Sequence, residues 1–114
     1  MSVKLTTRQV GDVTVIDAVG RITLGEGAST FRDKIRELAA SGNKKMLLNL
    51  AEVSYIDSSG IGEMVSGFTT VTNQGGVVKL LSLTKRVKDL LQITKLYTVF
   101  EVFEDEATAV RSFA

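Results

Sequence analysis

Residues 46–71 read MLLNLAEVSYIDSSGIGEMVSGFTTV, and the change of hydrophobic period within them decides the fold. Met46-Leu47-Leu48-Asn49-Leu50 is a short, nearly continuous apolar run, the pattern of a central strand covered on both faces. Ser54-Tyr55-Ile56 then leads into the polar segment Asp57-Ser58-Ser59-Gly60. Beyond it Ile61, Met64, Val65, Phe68 and Val71 recur at helical spacing and define one buried face, closed by Gly75-Gly76. Strand, polar turn and amphipathic helix in that order are the unit of a layered α/β fold.

Working outward, Val77-Val78-Lys79-Leu80-Leu81 reads as another buried strand. Thr84 is placed to cap a third helix holding Val87, Leu90 and Leu91. Val99–Phe103 is expected as a last short strand. Glu104-Asp105-Glu106 sets acid at the favourable dipole end of a final helix with Ala107, Val110 and Phe113 as its stripe. On the N-terminal side, Val3, Leu5 and Val10 form an extended segment, and Gly11-Asp12 joins it to Val13–Val19 as an antiparallel hairpin. Thr23, three residues before Glu26, predicts a capping box, with Leu24, Ala28, Phe31, Ile35 and Leu38 as the stripe of the helix it opens and Gly42-Asn43 as its end. The expected architecture is one domain over residues 1–114: an α/β fold with a mixed β-sheet, an N-terminal antiparallel hairpin and about four flanking helices.

Composition removes several kinds of chemistry. The chain has 114 residues and no Cys, His, Trp or Pro. Without Cys and His there is no disulfide framework, thiol nucleophile, zinc site or Ser-His-Asp triad. No EF-hand loop pattern is present. Fourteen basic residues against thirteen acidic ones give a net charge of +1, which provides no electrostatic case for a nucleic-acid or anionic-membrane partner. Met1-Ser2-Val3-Lys4 lacks the apolar core of a signal peptide, and no apolar run reaches bilayer-spanning length. These features lead to the expectation of a cytoplasmic protein without membrane insertion.

Few segments remain that could carry function. Gly60-Ile61-Gly62 follows a strand and opens a helix, but Val65 stands where a dinucleotide fingerprint needs its third glycine, and no Walker sequence occurs. Lys85-Arg86-Val87-Lys88 is basic, yet no aromatic residue is interleaved with it, so it reads as a solvated helix face. Asp57-Ser58-Ser59-Gly60 has two readings. One is a plain helix cap. The other uses the same physics: a helix N-terminus presents free N–H donors and about half a positive charge, which favours an anion. With Ile61, Met64, Val65 and Phe68 buried, Ser59, Gly62, Glu63 and Ser66 are left as a small polar surface beside Ser58. Gly60 and Gly62 keep side-chain bulk off the approach.

These residues resemble the STAS-domain family, whose small members include bacterial anti-sigma-factor antagonists. The resemblance rests on Gly20, Leu48-Asn49-Leu50, Val53 through Gly62, Gly75-Gly76, and the late Val87, Leu90 and Leu91 helix. It implies a non-enzymatic phospho-switch without a cofactor. Ser58 would be the residue phosphorylated by an anti-sigma factor with serine-kinase activity, and a serine phosphatase would reset it. The unmodified form would bind the anti-sigma factor and release the sigma factor. Asp57, Ser59, Gly60, Gly62, Glu63, Ser66 and Thr23 are the expected partner-binding residues. Many antagonists carry acidic residues where this chain has Arg21 and Thr23, a departure that bears on partner choice. Two further classes stay open: an unphosphorylated STAS-type accessory subunit of a transporter ATPase or signalling scaffold, and a small-molecule binder.

Overall fold

The computed structural model describes residues 3–113. The chain opens with β1 (Val3–Val10) and β2 (Val13–Ile22), paired antiparallel. The turn between them places Gly11 at φ 63°, a conformation that suits a residue without a side chain. α1 (Glu26–Ala40) leads to β3 (Lys45–Ile56), and α2 (Ser58–Asn73) leads to β4 (Val77–Leu81). α3 (Lys85–Ile93) and a 3-10 turn at Leu96–Thr98 precede β5 (Val102–Phe103), which α4 (Glu106–Arg111) follows. The strands lie in the order β1-β2-β3-β4-β5, and every pairing after the first is parallel. The result is the mixed sheet with an N-terminal hairpin that the sequence pattern predicts.

Alternation along the strands divides the core. Ile16 and Ala18 of β2, Met46, Leu48 and Leu50 of β3, and Val78 and Leu80 of β4 share one cluster with Phe31, Ile35, Met64, Val87 and Leu91 from α1, α2 and α3. Val13, Val15, Leu47 and Leu81 belong to a second, smaller cluster that packs against Ala109 of α4 and Phe113 just beyond it. A two-residue repeat sends neighbouring side chains to opposite faces, so one sheet serves both clusters. Lys79 lies on the second side. Its ammonium donates to the Ser112 carbonyl and hydroxyl at 3.0 and 2.9 Å, and sits 4.8 Å from the centre of the Phe113 ring.

Four local expectations need correction. Thr23 is not the cap of α1: the N-cap is Gly25, with no side-chain hydrogen bond, and Thr23 instead offers its carbonyl to the Ala28 N–H at 2.8 Å. Leu24 precedes the helix and is 78% exposed; the buried face of α1 is Gly27, Ala28, Phe31, Ile35 and Ala39. The last strand covers only Val102–Phe103; Val99 and Phe100, expected in it, instead form a turn and a bend that follow the 3-10 turn. In α4 the buried residue is Ala109, while Ala107 is exposed.

Candidate functional site

β3 is longer than its apolar run. After Leu50 it continues through Ile56, pairing Glu52, Val53, Tyr55 and Ile56 with Val19, Gly20, Arg21 and Ile22 of β2. This extension delivers Asp57 to the end of two parallel strands, where α2 begins. The Asp57 N–H donates to the Ile22 carbonyl at 3.4 Å, and its carbonyl accepts from the Ile61 N–H at 3.0 Å. Its carboxylate is divided. One oxygen accepts from the Gly60 N–H at 2.9 Å, which makes Asp57 the N-cap within the segment expected to cap the helix. The other accepts from the Leu24 N–H at 2.9 Å, thirty-three residues away. One side chain therefore fixes both the start of α2 and the segment joining β2 to α1. Burial pushes the Asp57 carboxyl up, but hydrogen bonds from the backbone N–H groups of Leu24, Gly60, Ser59 and Asp57 itself together hold it below the usual range.

Ser58 is the first residue of α2, and it is exposed. Ser59, Glu63 and Ser66 are half-buried, and Gly62 is exposed with open space where a Cβ would stand. Glu63 faces Arg32 of α1 at 3.8 Å. Gly60 differs from Gly62. It is buried, and a Cβ on it would collide with the Ile22 carbonyl oxygen and lie 2.7 Å from Ile56 Cγ1. Its lack of a side chain lets α2 start against the strand ends, rather than clearing an approach to the surface. Thr23 is half-buried next to exposed Leu24.

A cleft of about 420 Å³ opens beside Ser58. Tyr55, Asp57 and Ser58 line one side, and Arg86, Asp89 and Ile93 of α3 line the other. The Arg86 guanidinium carbon stands 4.2 Å from the centre of the Tyr55 ring, and that of Arg21 stands 5.2 Å from it. Tyr55 thus holds two cations near its ring, an arrangement favoured by the ring quadrupole. Sequence reading left Arg86 on a solvated face. Residues thirty-one apart give no local signal of such a contact; an aromatic near the end of a strand and a basic helix start were the only hints.

No group of three acidic side chains able to hold a metal ion occurs among the described residues, and no described helix is long and apolar enough to cross a membrane.

A mixed sheet that opens with this hairpin is the fold of a known class. The STAS domain family model matches residues 4–109, and the chain belongs to that family. Its relatives place it among the anti-sigma factor antagonists. It is 31% identical to the anti-sigma-B factor antagonist of Bacillus subtilis (strain 168), over 90% of this chain and 92% of that one. The solved structure of a candidate anti-sigma factor antagonist from Thermotoga maritima superposes with a TM-score of 0.88, at 24% identity over 96% of this chain and 93% of that one. The Bacillus cell fate determinant SpoIIAA in its phosphorylated form superposes with a TM-score of 0.76, at 19% identity over 97% and 100% of the two chains.

Proposed function

We propose that this protein is a cytoplasmic anti-sigma factor antagonist working as a serine phospho-switch, with Ser58 as the acceptor. The carrying observation is the position of Ser58: an exposed hydroxyl on the first residue of α2, on a helix start that Asp57 ties to Leu24. The phosphorylated fold relative from Bacillus supports the same reading. An anti-sigma factor with serine-kinase activity supplies ATP and Mg²⁺. The Ser58 Oγ attacks the γ-phosphorus, the bond to the bridging β,γ-oxygen breaks, ADP leaves, and the hydroxyl proton passes to a base of the kinase. A serine phosphatase hydrolyses the ester and restores the hydroxyl.

The docking face in this reading comprises Asp57, Ser59, Gly62, Glu63, Ser66 and Thr23, with exposed Leu24 as its apolar contact. Gly60 supports that face from beneath by allowing the close packing of α2. Phosphate adds roughly −1.5 to −2 charges at neutral pH. At a helix N-terminus the fold tolerates that charge. In an interface shaped around a neutral hydroxyl, with Asp57 and Glu63 adjacent, it opposes binding.

Incubation with the cognate kinase tests the acceptor. Ser58→Ala should abolish labelling, whereas Ser59→Ala should retain it. Tandem mass spectrometry placing the phosphate on Ser59 overturns the assignment. Incubating the protein alone with labelled ATP and Mg²⁺ should leave it unlabelled; stoichiometric self-labelling contradicts a passive acceptor. Intact-mass analysis of protein from its host separates the switch from a permanent accessory subunit, which would carry Ser58 unmodified under every growth condition.

A further inference from the structure

The charges around the cleft beside Ser58 are not equally engaged. Asp57 uses both carboxylate oxygens on backbone N–H groups, at 2.9 Å each. Asp89 is held by Lys85 at 2.8 Å, one helical turn back on α3. Among the described residues, Arg86 has no carboxylate within ion-pair reach; its guanidinium rests on the Tyr55 ring. The same cleft has Ser58 on its opposite side. The one lining cation is therefore left without an anion, in the same cleft as a hydroxyl proposed to acquire one.

We infer that Arg86 is the receptor for the phosphate on Ser58, swinging from the Tyr55 ring to form an ion pair that bridges the start of α2 and the start of α3. The inference rests on the phospho-switch reading and adds its structural consequence. A stack on the half-buried Tyr55 ring is a single-face attraction to the ring quadrupole and satisfies none of the guanidinium's N–H donors. A planar guanidinium matches two phosphate oxygens at once and makes a stronger, charge-assisted contact. Exchange of one for the other is therefore favourable. Arg21, also beside Tyr55, does not line the cleft and stays on the ring. The pair would offset the dianion that phosphorylation places beside Asp57 and Asp89.

The test uses full-length protein with phosphoserine installed at position 58 during synthesis, so that no kinase is needed. The ³¹P resonance is followed against pH for the otherwise wild-type chain, Arg86→Gln and Arg36→Gln, the last removing an exposed α1 arginine as a charge control. Arg86→Gln should raise the phosphate's affinity for its last proton about three- to tenfold, because an adjacent cation favours the dianion. Arg36→Gln should leave it near the wild-type value. In the chain retaining Arg86, the Nε–H resonance of Arg86 should move when Ser58 carries phosphate; this readout holds even if Arg86→Gln misfolds. Equal titrations for all three chains, or an Arg86 resonance indifferent to phosphate, overturn the inference. Such a result with Ser58 phosphorylated in the host removes the receptor and leaves the switch standing. A Ser58 unmodified in the host removes the switch, whatever the titrations show.

Discussion

Two helices of this protein start on an aspartate, and they use it differently. Asp105 caps α4 with contacts confined to its own first turn: the same oxygen accepts from the Thr108 N–H at 2.9 Å and the Thr108 hydroxyl at 2.8 Å. Asp57 caps α2 with one oxygen and uses the other to hold Leu24, on a segment far away in sequence. The first is a local device that stops a short helix from fraying. The second joins two segments and fixes an exposed serine between them. Capping alone does not mark a functional site; what sets Asp57 apart is its tertiary bond, beside a glycine that packing keeps free of a side chain and a cation without a carboxylate partner.

The contrast can be broken in graded steps. Gly60→Ala should have the largest effect on stability, roughly 3 kcal/mol by the usual cost of overpacking, because the new methyl group meets the Ile22 carbonyl and Ile56. Denaturant unfolding measures it, and an unchanged midpoint would mean that α2 shifts freely at its start. Asp57→Ala should come next, at about 2 kcal/mol, since it loses a cap and leaves the Leu24 N–H without its acceptor. Asp105→Ala should cost visibly less in the same assay. Equal losses would erase the distinction between the two caps.

Acid titration sharpens the same pair. The Asp57 carboxyl lies below its ordinary value in the folded protein, so its contribution is present above the unfolded value near ~3.9 and disappears as pH falls through the lower folded value. The melting gap between wild type and Asp57→Asn should therefore be constant at neutral pH and close below about pH 4. Asp17 and Glu106, both held down chiefly by hydrogen bonds from Arg8, lose stability over the same acid range. The difference between the two proteins, not the wild-type curve, isolates Asp57. Smallest of all should be Gly62→Ala, which meets nothing within 4 Å and should gain about 0.5–1 kcal/mol from helix propensity. A loss there would show that Gly62 is confined in a way its open surroundings do not reveal.

The readable parts of this molecule were those decided by near neighbours. The apolar run at residues 46–50 and the helical pattern after Gly60 located β3 and α2, and the polar segment 57–60 located the helix start, though not which of its residues caps it. Thr23 shows the opposite case. Its spacing from Glu26 satisfies a capping box, but the chain turns at Gly25, and the adjoining Leu24 N–H is held by Asp57 instead. That tertiary bond also explains why Leu24, counted by spacing into the α1 stripe, stands out in solvent. In α4 only six residues are helical, too few for a stripe to settle which alanine faces inward. The stack of Arg86 on Tyr55 depends on how α3 packs against β3, which no local pattern encodes. The helix start that carries Ser58 was therefore legible from the sequence, and the cleft beside it was not.

The account stands on phosphate acting at the interface rather than on the fold. Titrating the anti-sigma partner against unmodified protein, protein phosphorylated on Ser58, and Ser58→Asp, with a thermal melt of each, tests that directly. Phosphorylation should weaken binding by more than about a hundredfold, equivalent to roughly 3 kcal/mol, and leave the melting temperature nearly unchanged. Ser58→Asp, with less charge and fewer oxygens, should weaken binding only in part. Equal affinity for all three forms would contradict the switch, and a large drop in melting temperature on phosphorylation would show that the phosphate acts by unfolding the start of α2.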